Sequence, residues 1–256
     1  MNRVYFYTGT GNSLRIAEKI AQQLQECEVV AITLNTDIVI PEGYDRIGFV
    51  FPVYFQGIPK ILMDFLGNAR FPKQGQTYYF SVATYGKLHG NALSWMDTLL
   101  NNKGIKLDYG KNLKMFSNYV VLYNMSRDIE KITEQSEVMG NYIASDINKK
   151  KTNTVSRGNS ILNWYYKKQI RRLSKLDVHF SVSDSCISCG RCAEVCAARN
   201  IIMEDGKPKF QHHCNQCMGC IQFCPKKAIN YKNITHNRRR YTHPKVNYKE
   251  LVNHYK

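Results

Sequence analysis

Apolar and polar positions along the first 148 residues switch repeatedly between two periods. Arg3–Tyr7 is a short β-type run. From Ser13 to Glu26, the residues Leu14, Ile16, Ala17, Ile20, Ala21 and Leu24 recur at helical spacing. Val29–Leu34 predicts a second strand, and Arg46–Phe51 a third, apolar enough to be buried on both faces. Pro59–Gly67 predicts a helix with Pro in its first turn. Thr77–Thr84 predicts a strand, Asn91–Asn101 a helix, Lys114–Tyr123 a fifth strand and Arg127–Lys149 a long helix. Five buried strands interleaved with helices predict a parallel sheet covered on both sides. Asn35–Asp45, which holds Pro41 and Gly43, is too short and broken for a crossover helix, so an irregular piece is expected there.

The pattern changes after residue 148. Lys149-Lys150-Lys151 leads through a Ser/Asn/Gly stretch to a helix-like segment, Ile161–Leu176. Leu162, Tyr165, Gln169, Leu173 and Leu176 share one face of it, and Lys167, Lys168, Arg171, Arg172 and Lys175 lie mostly on the other. Charge divides at the same place. Residues 1–145 carry 14 Lys+Arg and 13 Asp+Glu, whereas residues 146–256 carry 22 and 7. The expected organisation is a first domain over 1–148, a basic helical connector over 149–180, a second domain over 181–231 and a basic tail over 232–256. The tail, with Arg238-Arg239-Arg240 and several tyrosines, either extends into solvent or wraps back on a domain. No signal-like segment opens the chain. The longest apolar run, Ile47–Phe55, is too short for a spanning helix. The expectation is a cytoplasmic protein, in which cysteines hold metal or do redox chemistry and seldom form disulfides.

Eight of the nine cysteines fall in two runs. The first is Cys186-x2-Cys189-x2-Cys192-x3-Cys196, and the second Cys214-x2-Cys217-x2-Cys220-x3-Cys224-Pro225. Structural zinc favours two ligand pairs and needs no triplet. Three cysteines at two-residue gaps with a fourth farther on resemble the bacterial two-cluster ferredoxins, in which the fourth cysteine of each run ligates the partner cluster. The resemblance implies a small α+β domain with two [4Fe–4S] clusters. Cys186, Cys189, Cys192 and Cys224 would hold one, and Cys214, Cys217, Cys220 and Cys196 the other. Gly190 and Gly219 leave room for backbone beside a cluster. Ala197 stands where many ferredoxins have Pro. His212 and His213 are read as surface or packing residues rather than added ligands. Cys27 is read as a buried, inert thiol on the first helix.

Between the first strand and first helix lies Tyr7-Thr8-Gly9-Thr10-Gly11-Asn12-Ser13. The two glycines permit close backbone approach. The hydroxyls of Thr8, Thr10 and Ser13 and the helix N-terminus suit a phosphate. No Lys stands in P-loop position, and Leu14 breaks a dinucleotide fingerprint. The run Thr8, Gly9, Thr10, Gly11, Asn12, Ser13 resembles the FMN-phosphate loop of flavodoxins. Pro52-Val53-Tyr54-Phe55-Gln56-Gly57 and Thr84-Tyr85-Gly86-Lys87 match the loops that flank the isoalloxazine ring there. The resemblance implies that Pro52, Val53, Tyr54, Phe55, Thr84, Tyr85 and Gly86 bind FMN, with Tyr54, Phe55 and Tyr85 as candidates for ring stacking. The whole chain resembles the fusions of anaerobic bacteria that join a flavodoxin-like five-stranded α/β domain to a two-cluster ferredoxin.

The resemblance implies an electron-transfer iron–sulfur flavoprotein. The alternative is a self-contained reductase in which the clusters feed FMN and FMN reduces a quinone, disulfide or nitro compound. No NAD(P) domain is visible, so electrons are expected from a separate low-potential carrier. The formal charge of +16 falls to about +10 once clusters and FMN phosphate are counted. A solvated basic face accounts for it most simply. An acidic redox partner such as a small ferredoxin comes next. An anionic membrane surface, with Trp164 at the interface, is a further reading. No nucleic-acid-binding module is recognised.

Overall fold

The computed structural model describes residues 1–72 and 75–256. The chain begins with β1 (Asn2–Phe6), α1 (Asn12–Gln23), β2 (Cys27–Ala31), β3 (Arg46–Pro52), α2 (Lys60–Asn68), β4 (Tyr78–Tyr85), α3 (Ala92–Asn101), β5 (Tyr109–Lys114) and α4 (Ile129–Asn148). The five strands form one parallel sheet in the order β2-β1-β3-β4-β5. The strand order reverses direction at β1 and β3. Right-handed crossovers therefore put α1 and α2 on opposite faces. α4 packs with α1, and α3 with α2. β4 is buried along nearly its whole length, as a strand covered on both sides must be. The carboxyl ends of β1, β3 and β4 meet at the reversal, where such sheets bind ligands.

Two sequence expectations differ from this sheet. The fifth strand is Tyr109–Lys114, not Lys114–Tyr123. Met115, Phe116 and Val120 are apolar and buried, but they belong to a loop that leaves the sheet: Met115 stays in the sheet core, Phe116 stacks on Tyr241 and Val120 packs with the cysteine-rich region. Cys27 opens β2 instead of lying on the helix; it is half-buried, and burial pushes its thiol up to about 11. Asn35–Asp45 contains no helix; turns cross it, with one bridge from Val39 to Arg70 and with Ile40 and Tyr44 buried.

The connector holds α5 (Ser160–Ile170) and a 3₁₀ stretch, Leu173–His179. Asn159 caps α5 by accepting from the N–H groups of Ile161 and Leu162. The anchoring residue is Tyr166, not Tyr165. Its ring fills the space beside Gly57, and its hydroxyl donates to the Ile58 carbonyl at 2.6 Å.

Beyond it, β6 (Phe180–Val182) pairs with β9 (Ile229–Tyr231), and β7 (Ile201–Glu204) with β8 (Lys207–Phe210), both antiparallel. Two single-turn helices, α6 (Arg191–Glu194) and α7 (Gly219–Gln222), pack on each other. The tail wraps back and ends in α8 (Tyr248–Asn253), opened by a capping box of Asn247 and Glu250. Leu251, Val252 and Tyr255 join the core of the sheet, as do Val195, Ala197, Ala198 and Phe223. The hydrophobic core therefore runs without a break from one half of the chain into the other. Among the described residues, no helix is long and apolar enough to cross a membrane.

Candidate functional site

The eight clustered cysteines line two cavities. Cys186, Cys189, Cys192 and Cys224 surround one, with Ile187, Gly190 and Lys226. Cys196, Cys214, Cys217 and Cys220 surround the other, with Tyr7 and Asn200. The fold produces this exchange because α6 and α7 lie against each other, so each run's last cysteine reaches the opposite loop. Backbone N–H groups already point at sulfur: Asn200 to Cys196, Gln216 to Cys214 and Ala228 to Cys224, each at 3.2 Å. The Gly219 N–H reaches Cys217 Sγ at 3.5 Å. Burial pushes Cys192 up to about 11 and Cys196 up to about 12. It also raises Cys217 and Cys220, so thiolates here call for bound positive charge to offset their desolvation. Four thiolates surround each cavity, and such sets of soft ligands suit iron–sulfur clusters.

The first cavity lies near solvent, since Cys189 is exposed. The second is the more enclosed, since none of Cys196, Cys214, Cys217 and Cys220 is exposed. His212 and His213 line neither cavity. His212 pairs with the buried carboxylate of Asp177 at 2.8 Å, and His213 Nδ1 lies 3.0 Å from the Gln211 carbonyl.

A third cavity, of about 450 Å³, opens at the carboxyl ends of β1, β3 and β4. Thr8, Gly9, Thr10 and Asn12 line one part of it, Pro52, Val53, Tyr54 and Phe55 a second, and Thr84, Tyr85 and Gly86 a third. Gly11 and Ser13 do not line it. Ser13 Oγ is fully buried and sits 2.9 Å from Thr84 Oγ1, tying the loop to β4. Gly11 adopts φ 96°, opens α1 and has no side-chain cap, which leaves that helix end for an anion. The Thr10 hydroxyl accepts from Asn118 Nδ2 at 2.7 Å.

Several lining residues were not legible in the pattern. Phe116–Tyr119 come from the loop expected to be strand, and Gln216 and Cys217 from the second cysteine run. Gln216 is buried, and its Oε1 has no hydrogen-bond partner. Among the described residues, Lys87 is the one charged residue lining this cavity, and its ammonium lies 4.1 Å from the Tyr123 ring centre. Aromatic walls, an uncapped helix end and an orphaned carbonyl fit a planar polar ring with a phosphate tail.

The two halves meet where these cavities touch. Cys217 lines both the enclosed cysteine cavity and the large one. A Cβ on Gly9 would lie 2.6 Å from the Cys217 carbonyl oxygen, and one on Gly219 2.9 Å from that of Gly9. Each glycine thus makes room for the other loop's backbone. Asn215 Oδ1 accepts from the Ile61 N–H at 2.8 Å, so the cysteine loop caps α2 of the sheet domain. Gln222 donates to the Asn118 carbonyl and accepts from the Tyr241 N–H, both at 2.8 Å. The tail closes the back of the phosphate loop. The Tyr255 hydroxyl donates to the Thr8 carbonyl at 2.9 Å, the His243 N–H to that of Thr10 at 2.8 Å, and the Tyr241 hydroxyl to Asn12 Oδ1 at 2.8 Å.

An α/β sheet with a ligand cavity at its switch point, fused to a paired four-cysteine fold, defines a two-domain redox protein. The chain joins a flavodoxin domain, matched over residues 3–84, to a 4Fe–4S dicluster domain, matched over residues 185–229, the composition of a flavodoxin–ferredoxin fusion. It is thus an FMN and iron–sulfur electron-transfer protein. Among solved structures it is similar to a flavoprotein from Bacteroides uniformis, with 19% identity over 44% of this chain and 89% of that one, TM-score 0.35. It is similar to the flavodoxin of Streptococcus pneumonia TIGR4, with 16% identity over 57% and 98%, TM-score 0.39. It is also similar to rubredoxin oxygen:oxidoreductase of Desulfovibrio gigas, with 13% identity over 58% and 36%, TM-score 0.37. None of the curated proteins matches the chain.

Proposed function

We propose that this protein carries electrons along an internal line from the solvent-near cysteine cavity, through the enclosed one, to FMN. In this reading Cys186, Cys189, Cys192 and Cys224 hold one [4Fe–4S] cluster, and Cys196, Cys214, Cys217 and Cys220 the second. Thr8, Gly9, Thr10 and Asn12 hold the FMN phosphate with the N-terminus of α1. Tyr54, Phe55 and Tyr85 flank the ring, and Gln216 offers its free carbonyl to a ring N–H. The supporting observation is Cys217, which belongs to the walls of both the enclosed cysteine cavity and the large cavity. FMN exchanges one or two electrons, so it links single-electron clusters to two-electron chemistry; the chain supplies binding, spacing and tuning.

The domain bounds of this reading are 1–148 and 181–231, with 149–180 as connector. The setting is the cytoplasm and the donor a low-potential protein that meets the exposed Cys189 side. The reading as a reductase rests on the open mouth of the large cavity, rimmed by Leu88 and Leu122. Anaerobic purification with iron, sulfide and extracted flavin quantified tests the proposal. About eight iron, eight sulfide and one FMN per chain are expected. Full iron with no flavin after added FMN would reduce the first domain to a docking module, and zinc in place of iron would overturn the second.

A further inference from the structure

The solvent face of α5 is the reverse of what a surface helix normally shows. Ile161, Trp164, Tyr165 and Lys168 share it at spacings of three and four residues. Ile161 is 74% exposed and Trp164 63% exposed. Lys168 sits over the Trp164 ring at 5.3 Å. The inward side is held by Tyr166, so the aromatic face cannot turn in without losing that anchor.

This face continues onto the mouth of the large cavity. Tyr165 lines the cavity together with Leu88 and Leu122, which are 66% and 72% exposed on two separate loops. Apolar side chains from three elements thus surround one opening. The segment that carries the aromatic face is basic. Residues 152–176 hold six Lys and Arg and no Asp or Glu. Among the described residues none of those six has a carboxylate partner. Among the described residues, Lys87 is the only charged one that lines the cavity.

We infer that this surface seats the protein on an anionic lipid membrane, with the cavity opening toward the headgroups. Isolated Leu, Ile and Trp side chains that project among lysines match an interfacial surface, where rings and leucines enter the headgroup boundary and cations meet acidic lipid. A protein–protein interface would be depleted in lysine and would gather its apolar groups into a packed centre. The seat also gives a physical role to positive charge that the cofactors do not neutralise. It does not depend on what fills the cavity, so it stands or falls separately from the electron-transfer reading.

The test is co-sedimentation of the full-length, cofactor-loaded protein with vesicles. Vesicles of phosphatidylglycerol and phosphatidylcholine should retain it at least tenfold better than phosphatidylcholine alone, and 0.5 M salt should release it. The double variant I161S/W164A should lower retention roughly tenfold. K168E/R172E should abolish the preference for anionic vesicles. V138S, which alters an exposed apolar residue of α4, should bind as the unaltered protein does. Iron and flavin content are measured in each variant to confirm folding. Equal retention on neutral vesicles, or full retention by the double variant, overturns the inference. So does a protein that stays in solution with anionic vesicles while the same variants lose affinity for an acidic ferredoxin; the face would then be a protein dock.

Discussion

Gly9 sits between two loops with different tasks. In a flavodoxin phosphate loop its small size lets backbone approach a ligand, but here the space beside it is taken by the Cys217 carbonyl and the Tyr54 hydroxyl. G9A should therefore push the cysteine loop off the sheet domain. Overpacking of this kind costs about 1–3 kcal/mol. Thermal unfolding and flavin content check it, and an unchanged midpoint with full flavin would mean the two loops have slack. Asn215 gives a second test across the same contact. N215A leaves the Ile61 N–H without its cap and should cost about 1 kcal/mol, with Asp in its place restoring most of it. Gln222 is the third. Q222M removes the bonds to Asn118 and Tyr241, and the expected result is weaker FMN binding with iron content unchanged. None of these three contacts was legible in the sequence, because each joins residues more than 100 positions apart or in separate domains. The cysteine spacing and the Thr8–Ser13 run were legible because each is a local pattern imposed by a local ligand shape. Ser13 shows the limit of that inference: a hydroxyl in the motif turned out to tie β4, and only the fold could say so.

The elements most visible in the sequence were those with a clean period, such as α1, β3 and β4. The fifth strand lies before Lys114–Tyr123 because the apolar residues of that stretch serve other packing: Met115 joins the sheet core from a loop, Phe116 stacks on Tyr241 of the tail and Val120 packs in the cysteine domain, uses that a period cannot distinguish from burial in a sheet. α5 lies where its period predicts but turns a different face inward, since two adjacent tyrosines fit either stripe and only Tyr166 reaches Gly57. The tail, for which the sequence allows either extension or wrapping, is a strap. Two carboxylates act on it in opposite senses. Glu137 of α4 is partly buried, which would raise its pKa. Hydrogen bonds from Arg15 and Lys19 of α1, and from Lys245 of the tail, outweigh this and hold it at about 2. It is depressed below the unfolded value of about 4.3, so its contribution is full above that pH and is lost as pH falls toward 2. E137Q should cost about 2–3 kcal/mol at pH 7, with the loss vanishing near pH 2. Glu18 of α1 is raised to about 7, by burial and then by the charge of Glu250 on α8. Its folded state holds the proton more tightly, so its stabilisation is full below about pH 4.3 and is lost as pH rises through 7. E18Q should raise the unfolding midpoint by about 2–4 °C at pH 8 and leave it unchanged at pH 4. A rise of the same size at both pH values would show that the charge of Glu18 is not the cause.

At the scale of the molecule, the continuous core and shared walls make the two domains one unit and not beads on a linker. The sheet domain contributes Tyr7 to the lining of the enclosed cysteine cavity, and the cysteine domain contributes Gln216 and Cys217 to the large one. Neither site is complete without the other half of the chain. On the function proposed above, electrons pass from the clusters to FMN inside a single chain. Rapid anaerobic mixing with less than one equivalent of a one-electron reductant is the decisive measurement, with cluster and flavin absorbance followed separately across a range of protein concentrations. Bleaching at the clusters should be followed by bleaching of the flavin at a rate independent of protein concentration. A flavin rate that rises in proportion to protein concentration would place the transfer between molecules instead.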